Sequence, residues 1–211
     1  MDKLDLRKQL KQFYAPSAKK VELVDVPRFN FLMIDGAIEV GQSPGTSPGF
    51  QEAMGALYGA AYTLKFMSKL RKVNPIDFTV MALEGLWWVR DGEFYITVKD
   101  NWDYTVMILQ PDHITDEMFA GAIEQMRKKK GDQPAFAHLR LEAFEEGRCV
   151  QIMHIGPYAT EPATVEKMTL FASEHGYRLT GKHHEIYLGN PLLAQQDKLK
   201  TILRHPVIAD K

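Results

Sequence analysis

Apolar side chains recur every three or four residues in several stretches of the chain, a spacing typical of amphipathic helices that pack one face on a core. The longest of these stretches follows Ser47 and Pro48. This pair favours a helix start, because a Ser side chain accepts a bond from a first-turn amide and Pro fits the first turn. We predict helices at about 1–14, 48–70, 115–130 and 160–174, and the 115–130 helix bridges two halves of the chain.

Alternation of apolar and polar residues predicts strands between these helices. They lie at about 21–26, 29–34, 78–89, 94–98 and 104–109 in the first half, and at about 137–144, 148–155, 183–188 and 200–204 in the second. Apart from the short strand at 94–98, each half, about 20–112 and 136–207, has the order strand, strand, helix, strand, strand, which indicates an internal repeat. The prediction is a single α+β domain over residues 1–211, in which duplicated modules form antiparallel sheets around a central ligand cleft.

Two of the strand patterns carry a glutamate where an apolar residue would pack at lower cost. In the second half, alternation places Glu185 and Tyr187 together on one face and His184 on the other. In the first half, Glu84 is followed by two tryptophans. Equivalent strands of a duplicated fold meet near a pseudo-twofold axis, so we expect Glu84 and Glu185 to face one shared cleft. The alternative is that each Glu is a solvated residue on an open sheet face.

Aromatic residues near these strands predict the walls of the cleft. Trp88 has the same parity as Glu84, so we assign Trp88 to the cleft and Trp87 to the other face. Trp102 and Tyr104 open the next strand and are expected at the rim.

Two further groups of residues have a functional and a structural interpretation. Tyr58 and Tyr62 are one helical turn apart, and they either cover the cleft or pack in the core. His183 and His184 are adjacent, but neighbouring strand residues point to opposite faces and no third metal ligand is evident. We therefore predict no metal and no cofactor.

The composition narrows the classes of function. Of 211 residues, 26 are basic and 27 acidic, and a net charge of -1 does not favour nucleic acid. No apolar run approaches the roughly 18 to 20 residues that span a bilayer, so no membrane segment is predicted. The N-terminus lacks the apolar region of a secretory signal, and the single Cys149 cannot form an internal disulfide. We expect a cytoplasmic protein, and no pattern predicts an oligomeric state.

Several short motifs resemble one known family. Gly156-Pro157-Tyr158, His184-Glu185-Ile186-Tyr187-Leu188 and Asn190-Pro191 resemble the signature of the GyrI-like small-molecule-binding domain, the ligand domain of multidrug-sensing regulators. Tyr58, Tyr62-Thr63-Leu64-Lys65-Phe66, Leu83-Glu84-Gly85-Leu86-Trp87-Trp88 and Gln110-Pro111-Asp112 resemble the stand-alone, longer members of that family. The resemblance covers nearly the whole chain, and it implies two fused modules of the kind called SHS2.

The resemblance also implies roles for individual residues. In the multidrug regulators, the glutamate that matches Glu185 lies at the base of a tyrosine-walled pocket and meets cationic aromatic ligands. This implies that Glu185, Tyr158 and Tyr187 bind a small aromatic or cationic molecule. Some stand-alone relatives hydrolyse cyclopropanoid DNA-alkylating compounds, which makes Glu185 the candidate catalytic base of a protein that protects against xenobiotics. Two alternatives remain open: drug sequestration without catalysis, and a protein-interaction module that inhibits an enzyme such as gyrase.

Overall fold

The computed structural model describes residues 3–90, 94–97, 101–189 and 195–210. Over these ranges the chain is a mixture of helices and antiparallel strands, which confirms the predicted α+β class. The helices are α1 (Leu6–Gln9), α2 (Lys11–Tyr14), α3 (Pro48–Leu70), α4 (Asp116–Lys130) and α5 (Glu161–Glu174). The strands are β1 (Glu22–Val26), β2 (Phe29–Ala37), β3 (Leu83–Trp88), β4 (Asp103–Gln110), β5 (Arg140–Phe144), β6 (Gly147–Ile155), β7 (Tyr177–Leu179), β8 (His183–Tyr187) and β9 (Lys200–Ala209).

The strands form one sheet in the order β1-β6-β9-β8-β3-β4-β2-β5, and β7 pairs with the end of β9. The β8–β3 pair is at its centre, with β9 and β6 on one side and β4 and β2 on the other. At the two ends the chain crosses between halves, because β1 pairs with β6 and β5 pairs with β2. These exchanged strands connect the first and second halves through one continuous hydrogen-bonded sheet.

The two long helices on one face of the sheet cover its two sides and leave the centre between them. Helix α3 packs on β2 and β4, and α5 packs on β6. Helix α3 begins where the sequence predicts, because Ser47 Oγ accepts a hydrogen bond from the Phe50 amide and Pro48 occupies the first turn. The third helix, α4, packs on the outer side of α3. Tyr14, at the end of α2, packs against the opposite face of the sheet, where it reaches Glu84.

Several predicted boundaries differ from the observed ones. The strand predicted at 78–89 begins only at Leu83, and residues 94–97 of the strand predicted at 94–98 are not in a strand; residue 98 lies outside the described ranges. The final strand continues through Pro206 to Ala209, because β7 pairs with its last three residues. Among the described residues, none of the helices has the length and apolar character that crossing a membrane requires.

Candidate functional site

Glu185 lies on the central strand β8, on the face of the sheet that carries α3 and α5. In the β3–β8 register it is directly opposite Gly85, and in the β8–β9 register it is opposite Leu203. Strand alternation places His183 and Tyr187 on the same face as Glu185. The Glu185 residue is only 5% exposed, so its carboxylate is surrounded by protein. Glu185 and the nearby side chains of Trp87, Tyr158 and Tyr187 are called the Glu185 site below.

His183 Nε2 lies 3.3 Å from a carboxylate oxygen of Glu185, and an indole and two phenols lie close by. The Trp87 indole donates a hydrogen bond to the Tyr187 hydroxyl over 3.0 Å, and Tyr187 is itself hydrogen-bonded to Glu185. Since the phenol oxygen accepts from Trp87, its own proton points to the carboxylate, which favours an ionised Glu185. The Tyr158 ring contacts Tyr187 edge-on, with 6.0 Å between ring centres.

Both phenols keep their protons over the ordinary pH range. Burial, the Glu185 charge and the Glu185 hydrogen bond raise the pKa of Tyr187 well above its usual value. Burial and the charges of Glu185 and Glu161 raise the pKa of Tyr158 to about 12. Tyr158 and Tyr187 are therefore hydrogen-bond donors in this site rather than bases.

Gly85 makes this arrangement sterically possible. A Cβ atom at position 85 would lie 2.7 Å from the Trp87 indole nitrogen, closer than real Cβ atoms approach other atoms. Without that atom, the indole lies over the strand and reaches Tyr187. Packing thus explains the glycine in the Leu-Glu-Gly-Leu-Trp motif, because any side chain at position 85 would displace Trp87.

A layer of aromatic rings continues from Trp87 to the end of the site nearest α3. Trp87 lies 5.3 Å from Trp102 and 5.8 Å from Tyr104, measured between ring centres. Phe50 of α3 contacts Trp87 at 5.6 Å, and Phe94 lies 4.9 Å from Trp102. Trp102 and Tyr104 are each 2% exposed, so they lie beneath Trp87 instead of at the expected rim. They support the ring that faces Glu185.

A second carboxylate, Glu161, belongs to this face of the molecule. It is the first residue of α5, it is fully buried, and it follows the turn that carries Tyr158. Its charge acts on both Tyr158 and Tyr187, as that of Glu185 does. Sequence reasoning missed it, because an acidic residue in the first turn of a helix is a common stabilising feature. Its position three residues after Tyr158, one turn along the chain, was the available signal.

The expectation that Glu84 and Glu185 share a cleft is wrong. Glu84 is opposite Ile186 in the β3–β8 register, and Gly85 is opposite Glu185, so the two carboxylates lie on opposite faces of the sheet. Glu84 is fully buried, and its oxygens contact the Tyr14 hydroxyl at 2.8 Å and His184 Nε2 at 3.1 Å. Glu84 thus lies in the interface between the sheet and α2.

Behind Glu84, buried charges form a connected network. His184 Nδ1 lies 3.0 Å from both carboxylate oxygens of Glu146, and an Arg204 guanidinium nitrogen lies 3.2 Å from the same group. Burial lowers the pKa of His184, but the Glu146 charge and hydrogen bonds to Glu146 and Glu84 raise it to about 9. Burial raises the pKa of Glu146, and the His184 and Arg204 charges lower it to about 2. At neutral pH this is a network of full charges.

The other predicted wall residues are also separate from Glu185. Trp88 shares the parity of Glu84, as predicted, and therefore lies on the face away from Glu185; the Lys182 ammonium is 3.3 Å from its ring centre. Tyr58 and Tyr62 stack on each other along α3 with ring centres 6.5 Å apart, and Tyr62 is 49% exposed. Burial and Tyr62 raise the pKa of Tyr58. A role for this pair as a cleft cover stays a prediction.

Two cavities lie away from Glu185. One of about 540 Å³ lies beside α2 and β1, with Lys11, Ser17 and Glu22 among its lining residues. The other, of about 220 Å³, lies on the Glu84 face against Leu86, Glu146 and Lys182. Within the described ranges, no three His, Cys, Asp or Glu side chains are grouped as metal ligands. The motif residues Asn190 and Pro191 lie outside the described residues.

Comparison with known proteins gives matches over nearly the full length. Residues 19–207 match the GyrI-like small molecule binding domain. Two structures from Listeria innocua, an uncharacterized conserved protein and a hydrolase, are each 42% identical over 98% of this chain and 100% of theirs, with TM-scores of 0.89 and 0.83. The EcmrR C-terminal domain, 11% identical over 90% of this chain and 98% of that one, has the same fold with a TM-score of 0.53. A search of curated proteins found no significant match.

Proposed function

This chain belongs to the GyrI-like small-molecule-binding family, and from that membership we propose that it binds flat aromatic compounds at the Glu185 site and hydrolyses strained, cyclopropanoid-type electrophiles there. The observation that carries this proposal is the buried Glu185 carboxylate, hydrogen-bonded to Tyr187, whose hydroxyl accepts a hydrogen bond from Trp87. The Listeria innocua hydrolase, 42% identical over the whole of its length, supports a catalytic reading of the same scaffold. The protective role against xenobiotics that the sequence suggests is part of this proposal.

Binding follows from the chemistry of the walls. The faces of Trp87 and of the two tyrosines stack on flat rings, and a cationic ring gains a further 0.5 to 2 kcal/mol, roughly, from each aromatic face. Tyr158 and Tyr187 are half-buried while the rings beneath them are buried, so ligands enter from the tyrosine side.

Catalysis uses the ionised carboxylate as a general base. Glu185 takes a proton from a water molecule, the water oxygen bonds to the electrophilic ring carbon, and the strained carbon–carbon bond breaks. The electron pair of that bond moves through the conjugated ring to a carbonyl oxygen, to which the Tyr158 phenol donates a hydrogen bond. That oxygen then takes a proton from solvent and Glu185 returns its own proton to solvent. The net reaction consumes one water molecule.

The test follows the ring-opened, water-added product by mass spectrometry during incubation with a cyclopropanoid alkylator. We expect many turnovers per protein molecule. Glu185→Gln should lower the rate by about 10² to 10⁴, the usual contribution of a general base, with affinity for a neutral substrate changed only a few-fold. Glu84→Gln is the matched control, since it removes the same charge from the other face of the sheet, and its turnover should stay near that of the wild type.

One outcome would contradict the hydrolysis part of the proposal, and another would contradict the binding part. A loss of compound that stops at one equivalent indicates sequestration, and the hydrolase part fails. In a second measurement, several flat aromatic dyes are titrated while tryptophan fluorescence is recorded, because Trp87 lies within the binding site. If none of them changes the emission, binding at Glu185 is excluded as well.

A further inference from the structure

His183 precedes Glu185 by two residues on β8, and the catalytic scheme leaves it without a role. Strand alternation places both side chains on the same face of the sheet. One ring nitrogen of His183, Nε2, lies 3.3 Å from a carboxylate oxygen of Glu185. Tyr187 follows Glu185 by two residues and is also hydrogen-bonded to it. Along one strand, the carboxylate thus comes between an imidazole and a phenol.

Neighbouring rings fix the position of the His183 imidazole. The residue is 1% exposed, and its ring stacks on Phe94 with 5.7 Å between ring centres. On the neighbouring strand β9, the His205 ring lies 5.8 Å away. Phe94 lies 4.9 Å from Trp102, which belongs to the layer beneath Trp87. Because protein interiors are close-packed, a ring enclosed in this way fixes the atoms that it contacts.

The hydrogen bonding of His183 Nε2 is incomplete. Among the described residues, this nitrogen makes no hydrogen bond of standard geometry, although the Glu185 oxygen is within reach. A buried polar atom in this state costs free energy and calls for an explanation. Hydrogen bonds between catalytic groups are often poorly aligned in a free enzyme and tighten in the complex with substrate. The contact between His183 and Glu185 fits that pattern.

We propose that His183 is a positioning residue for the general base, with a proton on Nε2 that it donates to the Glu185 carboxylate when substrate is bound. This inference rests on the proposed hydrolysis. One donor, Tyr187, leaves the carboxylate free to rotate, whereas a second donor fixes its plane. A carboxylate has about four acceptor positions, so two donors leave room for the attacking water. Because His183 is buried, it acts on turnover through Glu185 rather than on substrate affinity.

The test compares variants at position 183 in the hydrolysis of a neutral spirocyclopropyl-dienone alkylator, with kcat and KM determined from the ring-opened product. His183→Phe keeps a flat ring against Phe94 and removes both nitrogens. We expect kcat to fall about 10- to 100-fold, the effect of losing a hydrogen bond to a charged group, and KM to change by less than about threefold. His183→Gln provides an N–H donor and should restore kcat to within about fivefold of the wild type.

A double variant separates positioning from packing. If His183 acts only through Glu185, removing the imidazole from a protein that already lacks the base should change little. Glu185→Gln combined with His183→Phe should therefore turn over within about threefold of Glu185→Gln alone. A packing defect would instead lower the rate by the same factor in both backgrounds.

His184→Gln is the matched control. His184 is adjacent to His183 and equally buried, but it contacts Glu84 on the other face of the sheet. All variants are assayed at a temperature at which circular dichroism shows that each is folded. The kcat of His184→Gln should stay near that of the wild type, although this variant loses stability.

Each result either supports or overturns the inference. Wild-type turnover that is unchanged in His183→Phe overturns it and leaves the proposed function intact. A loss that His183→Gln shares in full, or that multiplies with Glu185→Gln, overturns it as well. If His183→Phe does not fold, the smaller His183→Leu also lacks ring nitrogens and replaces it with the same expectations. If the wild type gives no turnover, the proposed hydrolysis and this inference are both excluded.

Discussion

The two central strands of the sheet each carry a buried glutamate hydrogen-bonded to a tyrosine, but the two carboxylates have opposite surroundings. Glu84 accepts a hydrogen bond from the Tyr14 hydroxyl and contacts His184. His184 in turn contacts Glu146, which also contacts Arg204. Glu185 is bonded to Tyr187, behind which lie the Trp87 indole and further rings. The first carboxylate is part of a charge network that joins the sheet to α2. The second lies among phenols and an indole, with His183 Nε2 at 3.3 Å.

The comparison shows that the Glu-aromatic motif does not itself define a binding site. The covering elements differ, because α2 packs on one face and the gap between α3 and α5 lies on the other. The two strands therefore carry the same motif in different surroundings. The following predictions test that difference, beginning with the largest expected effect.

Removing the charge of Glu146 should destabilise the fold more than removing that of Glu185. Glu146→Gln leaves the buried His184 and Arg204 charges without their shared partner, and breaking a buried pair costs about 3 to 5 kcal/mol. Glu185→Gln alters a contact of 3.3 Å with His183 Nε2 and should cost less, about 1 to 2 kcal/mol. Urea unfolding followed by circular dichroism measures both. Equal losses in the two variants would mean that Glu185 is as structural as Glu146.

Because of the charge network on the Glu84 face, the folded protein should lose stability at alkaline pH. His184 has a pKa of about 9 in the folded chain, above its ordinary value of 6.5, so the folded state binds more protons between these values. Its contribution is fully present below pH 6.5 and is lost as the pH rises to about 9, on the order of 3 kcal/mol. The low pKa of Glu146 reflects the same contact, so the two effects do not add.

The measurement for this prediction is the free energy of unfolding at a series of pH values from 6 to 10. In His184→Gln, the fall in the free energy of unfolding between about pH 6.5 and 9 should disappear. The variant is also less stable at pH 6, because Glu84 and Glu146 lose a charged partner. An unchanged alkaline decline in the variant would place its origin outside the network.

Local sequence signals account for most of the fold. Ser47 and Pro48 mark the start of α3, Thr115 caps α4, and the predicted ends of both helices agree with the observed ones. These signals lie within one helical turn of the boundary that they define, so no tertiary information is needed. The three-residue strand β7 was missed because it is too short for alternation to be recognised and depends on pairing with β9.

The site was predicted less completely, because its geometry depends on strand register. Alternation within β8 correctly separates His184 from Glu185 and Tyr187, since parity is a local property. Whether Glu84 or Gly85 lies opposite Glu185 is a property of the β3–β8 pair, and a shift of one residue exchanges the faces. That one-residue difference moves Trp87 into the Glu185 site and Trp88 out of it.

Gly85→Ala should disturb the Glu185 face without affecting the network on the other side. The added methyl group collides with the Trp87 indole, and such overpacking costs about 1 to 3 kcal/mol. We also expect a shifted tryptophan emission, because the hydrogen bond from Trp87 to Tyr187 is strained or lost. Gly55→Ala in α3 is the control: an added Cβ there meets no atom within 4 Å, and the substitution should raise stability by about 0.4 to 1 kcal/mol. A Gly85→Ala protein with wild-type stability and emission would contradict the packing described for Trp87.

The smallest expected effects come from the two tyrosines, which offer the closest matched pair. Tyr14→Phe and Tyr187→Phe each remove one phenol hydroxyl from a buried glutamate. On the Glu84 face the carboxylate keeps His184 but loses a donor, so Tyr14→Phe should lower stability by about 1 to 2 kcal/mol and leave ligand binding unchanged. On the Glu185 face, Tyr187→Phe separates the Trp87 indole from Glu185, so turnover and ligand affinity should fall while stability changes by less than about 1 kcal/mol. Unfolding and dye titration, measured on both variants, should give these two opposite patterns. If Tyr14→Phe and Tyr187→Phe both lower the stability and neither changes dye binding or turnover, the Glu185 face is a second structural network. The distinction between the two faces then has to be abandoned.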